Sequence, residues 1–168
     1  MKRRWLLAAL AALVLTGVFG CRREPEQPPS EYVLYFLTDG EQEHGPALGT
    51  QPYAAEEGQT PTPGQLVQAL LKGPTSETLR TPFPRGVSMQ SCDWDPENPG
   101  NVQVELSERY GELTDISLTL ADYSIVLTLS QLDGVETVEV ISDGYTISYR
   151  SHQLLSGQEA LLTDEQIP

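Results

Sequence analysis

The chain has 168 residues, with 10 Lys+Arg against 24 Asp+Glu and a formal net charge of -14; 39% of its residues are hydrophobic and 20% charged. So acidic a balance argues against a nucleic-acid-binding surface, whose affinity for phosphate comes mostly from Lys and Arg. The apolar content is too high for a wholly disordered chain, and the length suits one compact domain plus a tail or tether. Two cysteines make no disulfide framework, and two histidines, His44 and His152, cannot assemble a multi-histidine metal centre within one chain.

Lys2, Arg3 and Arg4 precede an uncharged apolar run from Trp5 to Phe19. That run is shorter than the roughly 20 residues needed to cross a bilayer, so it reads as the apolar region of a secretory signal. Val18-Phe19-Gly20-Cys21 looks like a lipobox, with a small residue just before a cysteine that receives a diacylglyceryl group and becomes the new N-terminus. The departure is Phe19, bulkier than the residue usual there. The expected signal peptide is therefore residues 1–20, with Cys21 as the lipidation site and palmitate-type acyl chains as the membrane anchor. Cleavage removes three basic groups, so the exported part is more acidic still. Stable anchoring needs more than one acyl chain, and Arg22 and Arg23 add attraction to anionic headgroups of about 1 kcal/mol each.

Residues 21–30 include the stretch RREPEQPPS, which has no apolar residue able to join a core. It reads as a Pro-rich membrane tether, extended at about 3 Å per residue. Folding is expected to begin at Glu31. Tyr32 to Leu37 is a run of β-branched, aromatic and aliphatic residues that reads as a buried strand. From Glu41 to Thr60 no period holds, and Gly45, Pro46, Gly49, Pro52 and Gly58 suggest a long exposed acidic loop.

Thr62-Pro63-Gly64-Gln65 opens a helix: Thr62 can cap, Pro63 suits the first helical position and Gln65 completes a capping box. Leu66, Val67, Leu70 and Leu71 give it an apolar face, and Gly73-Pro74 ends it. Thr75 to Gly86 is expected to cross the surface irregularly. Val87 to Trp94 and Asn101 to Leu106 read as two strands joined by Asp95-Pro96-Glu97-Asn98-Pro99-Gly100.

Asp115 to Leu132 fits two periods. Leu118, Ala121, Ile125, Leu129 and Leu132 form a helical stripe, yet Leu118/Leu120 and Ile125/Leu127/Leu129 also alternate as in strands. Length without Gly or Pro favours the helix. Ile125 is then expected in the core, and Asp122 on the polar side, where replacement by Ala would be nearly silent. Beyond Asp133-Gly134, Val135 to Ile141 reads as a strand, and Asp143-Gly144 as the turn of a hairpin with Tyr145 to Tyr149. The tail, residues 151–168, carries Leu154, Leu155, Leu161 and Leu162, some of which are expected to dock. The order β-α-β-β-α-β predicts an α/β (α+β) domain over residues 31–150, with a mostly antiparallel sheet and two helices on one face.

YVLYFLTD (Tyr32 to Asp39), LVQALLKGPT (Leu66 to Thr75), LRTPFPRG (Leu79 to Gly86), and Leu120 to Gly144 with its ending TLSQLDGVETVEVISDG occur in the order and spacing of a known family. The chain resembles the GerM-type sporulation and spore-germination domain, GerMN, from about Glu31 to Tyr149. The resemblance implies an α/β domain similar to the ring-building motifs of assemblies between mother cell and forespore, and lipoprotein signals are common in that family.

Local chemistry reads as structural. Gly73-Pro74-Thr75 is explained by helix termination, and Gly134 by a turn. Asp93, Asp95, Glu97 and Asn98 resemble a calcium loop only superficially, because Asn98 replaces the sharp-turn Gly and Val104 stands where a bidentate Glu belongs. Cys92 has no nucleophile signature around it and reads as a small, partly buried thiol, and His44 as a surface residue. There is no G-x-S-x-G and no phosphate-cradling Gly-rich loop.

The expectation is thus a protein that is not an enzyme and takes no metal or cofactor. It is expected at the extracytoplasmic face of the cell membrane, acting in sporulation or germination by binding another envelope protein or by self-association. The alternative is a module for a small ligand or the cell wall, with Tyr32, Tyr35, Tyr110, Tyr145 and Tyr149 as candidate stacking surfaces.

Overall fold

A computed structural model describes residues 32–39, 47–55, 59–142 and 154–159. Its elements in chain order are β1 (Val33–Thr38), β2 (Leu48–Pro52), α1 (Pro63–Lys72), β3 (Leu79–Arg80), β4 (Met89–Trp94), β5 (Asn101–Leu106), a 3-10 helix (Glu108–Glu112), α2 (Asp115–Leu129) and β6 (Thr137–Ser142), with a short 3-10 turn at Gly157–Glu159. The strands form two three-stranded sheets, ordered β2-β1-β3 and β4-β5-β6, instead of the single sheet expected. Pairing is antiparallel throughout except for β5 with β6, which run parallel because α2 carries the chain back between them. The architecture is α+β and mostly antiparallel, with the order β-α-β-β-α-β enlarged by β2 and β3.

β2 corrects the reading of 41–60 as one irregular loop. Leu48 is buried and stands opposite Leu37, with Thr50 opposite Tyr35 and Pro52 opposite Val33. Its sequence signal is weak for physical reasons. Gly49 and Pro52 are poor strand residues, yet β2 is an edge strand that makes no ladder on its far side among the described residues, so Pro52 costs no hydrogen bond there. At Gly49 an added Cβ would lie 2.9 Å from Leu79 Cδ2 and 3.1 Å from Thr38 Cγ2, so a larger residue there would have to push these side chains aside at the β1–β3 junction. β3 is likewise a departure from the irregular path expected between Thr75 and Gly86; it adds only Leu79 and Arg80 beside Thr38 and Leu37.

α1 forms as its sequence dictates. The Thr62 side chain accepts from the Gln65 N–H, the Gln65 side chain accepts from the Thr62 N–H, and Pro63 opens the first turn. Gly73, at φ +86°, closes the helix with its N–H on the Leu70 carbonyl. Leu66, Val67 and Leu70 are fully buried.

The helical period wins in α2, and Leu118, Ala121, Ile125, Leu129 and Leu132 are all buried. They pack with Leu34 and Phe36 of β1, the apolar face of α1, Val102, Val104 and Leu106 of β5, and Val138 of β6 in one core. The two helices touch each other; α2 also lies on β1 and β6, and α1 on β4 and β1.

α2 and the turn just after it make a second, polar contact that the apolar stripe does not announce. Tyr53 N–H donates to Tyr32 C=O and Thr38 N–H to Ala47 C=O, so alternate residues of β1 turn their backbone groups toward β2. Val33 and Tyr35 turn theirs the other way, where no strand lies beside them among the described residues. Gln131 Oε1 accepts from Val33 N–H at 2.9 Å and Gln131 Nε2 donates to Val33 C=O at 2.8 Å. Thr128 Oγ1 accepts from Tyr35 N–H at 3.1 Å and Ser124 Oγ donates to Tyr35 C=O at 2.5 Å. Ser124, Thr128 and Gln131 recur every three to four residues, so one row of side chains satisfies four backbone groups that a neighbouring strand would otherwise satisfy.

Candidate interaction surface

The β4-β5-β6 sheet has two unlike faces. β5 alternates Val102, Val104 and Leu106 with Asn101, Gln103 and Glu105, and the first set lies in the core. Cys92 stands opposite Val104 and Trp94 opposite Val102, so they share the core side, while Asp93 stands opposite Gln103 and Ser91 opposite Glu105 on the outer side. Glu139 of β6 pairs with Gln103, and Thr137 with Asn101. The outer side therefore carries Ser91, Asp93, Asn101, Gln103, Glu105, Thr137, Glu139 and Ile141; Asn101 and Glu139 are buried there, Asp93 is exposed and the rest are half-buried.

These groups are tied together across the strands. Gln103 Nε2 donates to Glu139 Oε2 at 3.0 Å and to Asp95 Oδ2 at 3.4 Å. Asn101 Nδ2 also reaches Asp95 Oδ2, and Thr137 Oγ1 donates to Asn101 Oδ1 at 3.0 Å. Ser91 Oγ donates to Glu105 Oε2 at 3.3 Å. Amide and hydroxyl donors thus hold the carboxylates in place without cancelling their charge. Asp93, Asp95 and Glu105 make no ion pair among the described residues, where the ion pairs are Arg80–Asp39 and Arg109–Glu112. The result is a partly open, polar, negatively charged sheet face.

The Asp95–Gly100 connection closes the β4–β5 hairpin, with Asp95 Oδ1 accepting from Glu97 N–H and Asp95 N–H donating to Asn101 C=O. Gly100, at φ +90°, sits with Glu136 carbons 3.1 Å from where a Cβ would stand. Among the described residues no group of three or more His, Cys, Asp and Glu is arranged to hold a metal ion, and this includes the Asp93, Asp95 and Glu97 carboxylates.

Cys92 faces the core at the N-terminal end of α1, where a Cβ on Gly64 would lie 3.9 Å from its own. Burial pushes the thiol up from 9.0 to about 12, with the negative charge of Asp93 adding to the effect. At neutral pH it is a protonated thiol and a poor nucleophile. Tyr110 is 2% exposed and belongs to the core, so it offers no stacking surface. Tyr32 and Tyr35 are half-buried and point to opposite faces of β1. Cys21, His44, His152, Tyr145, Tyr149, Glu41, Glu43, Glu56 and Glu57, and the expected strand Tyr145 to Tyr149, lie outside the described residues.

Sequence reading missed Gln103, Glu105 and Glu139 as a group. Their signal was strand alternation: each lies between valines, or between Val104 and Leu106, and so faces away from the core. Their convergence depends on the parallel β5–β6 pairing, which has no local sequence mark. The GPT element shows a definite structural role. Gln51 Oε1 of β2 accepts from Thr75 N–H at 2.7 Å, Thr75 Oγ1 at 3.0 Å and Ser76 N–H at 3.2 Å, pinning the turn after α1 to the edge strand.

The chain matches the family described as Germane, sporulation and spore germination, over residues 33–148. No curated protein matches it in sequence. Its fold is similar to the tandem GerMN domains of the sporulation protein GerM from Bacillus subtilis, at 22% identity and a TM-score of 0.51, over 68% of this chain and 39% of that one. It is also similar to the first GerMN domain of the same protein, at 18% identity and a TM-score of 0.50, over 68% of this chain and 83% of that one. It thus spans well under half of the tandem structure. The α+β fold and the match across most of its length agree with the signature elements in its strands and helices: the chain belongs to the Germane family of sporulation and spore-germination domains.

Proposed function

We propose that this protein is a membrane-anchored lipoprotein of the extracytoplasmic face, held through Cys21, that serves sporulation or germination as a non-enzymatic protein-interaction module. The outer face of the β4-β5-β6 sheet is its contact surface, and the partner is a basic envelope protein. The observation that carries this reading is the set of carboxylates at Asp93, Asp95 and Glu105, none paired with a cation among the described residues, with Asp95 and Glu105 held by neutral amide and hydroxyl donors. Fixed charge of one sign steers and selects partners of the other sign, and the association weakens as salt screens it. The basic flank and apolar run before Cys21 support export and anchoring. The non-enzymatic reading is supported by Cys92 being held protonated and by the lack of a nucleophile motif.

The test is proximity labelling and pull-down with the full-length anchored protein in sporulating cells. Asp93→Lys and Glu105→Lys together are expected to lower partner recovery, with wild-type recovery falling as salt rises. Cys21→Ala is expected to abolish acyl labelling and release or misprocess the protein. A triple variant, His44→Ala, His152→Ala and Cys92→Ser, is expected to sporulate and germinate normally. If the triple variant fails while folded and the charge variants behave as wild type, the contact reading is wrong and an active site should be sought.

A further inference from the structure

We draw no further inference here: the strongest candidate, the outward side of the β2-β1-β3 sheet where Val33, Tyr35 and Leu37 stand opposite Pro52, Thr50 and Leu48, is an apolar sheet face for which nothing among the described residues shows what covers it.

Discussion

The hydroxyl of Tyr110, in the 3-10 helix before α2, donates to Asp122 Oδ1 on α2 at 2.5 Å, while the Tyr110 ring lies in the core beside Phe83 with centroids 6.3 Å apart. This overturns the expectation that Asp122 sits idle on a polar side. A buried ring needs a partner for its hydroxyl, and here a carboxylate about two turns into the helix supplies it. Asp122→Ala is expected to destabilise the domain by about 1.5–3 kcal/mol, the range for hydrogen bonds to charged groups. Asp122→Asn keeps an acceptor and should lose less. Urea denaturation checks this, and a double-mutant cycle with Tyr110→Phe should show positive coupling; additive losses would mean that the contact contributes nothing.

What was legible follows from the range of the signals. β1, α1, β4, β5 and β6 carry local marks: a run of strand-forming residues, a capping box with its Gly-Pro stop, and strict alternation around a turn. The helix at Asp115–Leu129 was legible once length broke the tie between two periods. β2 and β3 were not, because a strand containing Gly49 and Pro52, and one of two residues, exist through their neighbour β1 and not through their own sequence. The contact of Tyr110 with Asp122 and the outer-face cluster were illegible for the same reason, since both depend on where α2 and β6 return in space. In the cluster each residue was placed correctly on a strand, yet the partners Gln103 and Glu139 lie 36 positions apart.

The polar row along α2 and the turn just after it gives a second prediction. Gln131→Ala leaves the Val33 N–H and C=O without their partner, and Thr128→Val does the same to the Tyr35 N–H. An unsatisfied buried backbone group costs about 1–3 kcal/mol. Each variant should therefore melt lower, although Thr128→Val is nearly isosteric. Hydrogen exchange should localise the effect, with the Val33 amide losing protection in the first and Tyr35 in the second. Unchanged protection would show that another group closes that edge of β1.

Ile125 tests the core itself. It is fully buried in the α2 stripe, so Ile125→Ala should cost about 2–5 kcal/mol and Ile125→Asp, which buries an unpaired carboxylate, should unfold the domain. Circular dichroism with an unchanged melt for Ile125→Asp would remove the residue from the core.

Gln51 concentrates three donors on one oxygen, and that oxygen links β2 to the turn after α1. Gln51→Ala should free the Thr75 and Ser76 amides to exchange faster. Gln51→Glu should hold them, because an ionised acceptor strengthens the same bonds. Stability is expected to order as Glu at or above Gln, and both above Ala, by about 1 kcal/mol in urea. If Glu behaves like Ala, the donors do not converge on this side chain in solution.

Cys92 provides a prediction in pH. Its thiol is raised from 9.0 to about 12 by burial and by Asp93, so the folded protein holds a proton that the unfolded chain releases above pH 9. With more protons bound in the folded state, stability falls as pH rises: the contribution is whole below pH 9 and is lost progressively toward pH 12. In a Cys21→Ser background, Cys92 should react slowly with a thiol reagent at pH 8 when folded and rapidly in urea, because the thiolate is the attacking species. Cys92→Ala should flatten the pH dependence of the melt between pH 9 and 12 relative to that background. Fast labelling of the folded protein at pH 8 would place the thiol at the surface, and would reopen the question of whether it serves chemistry.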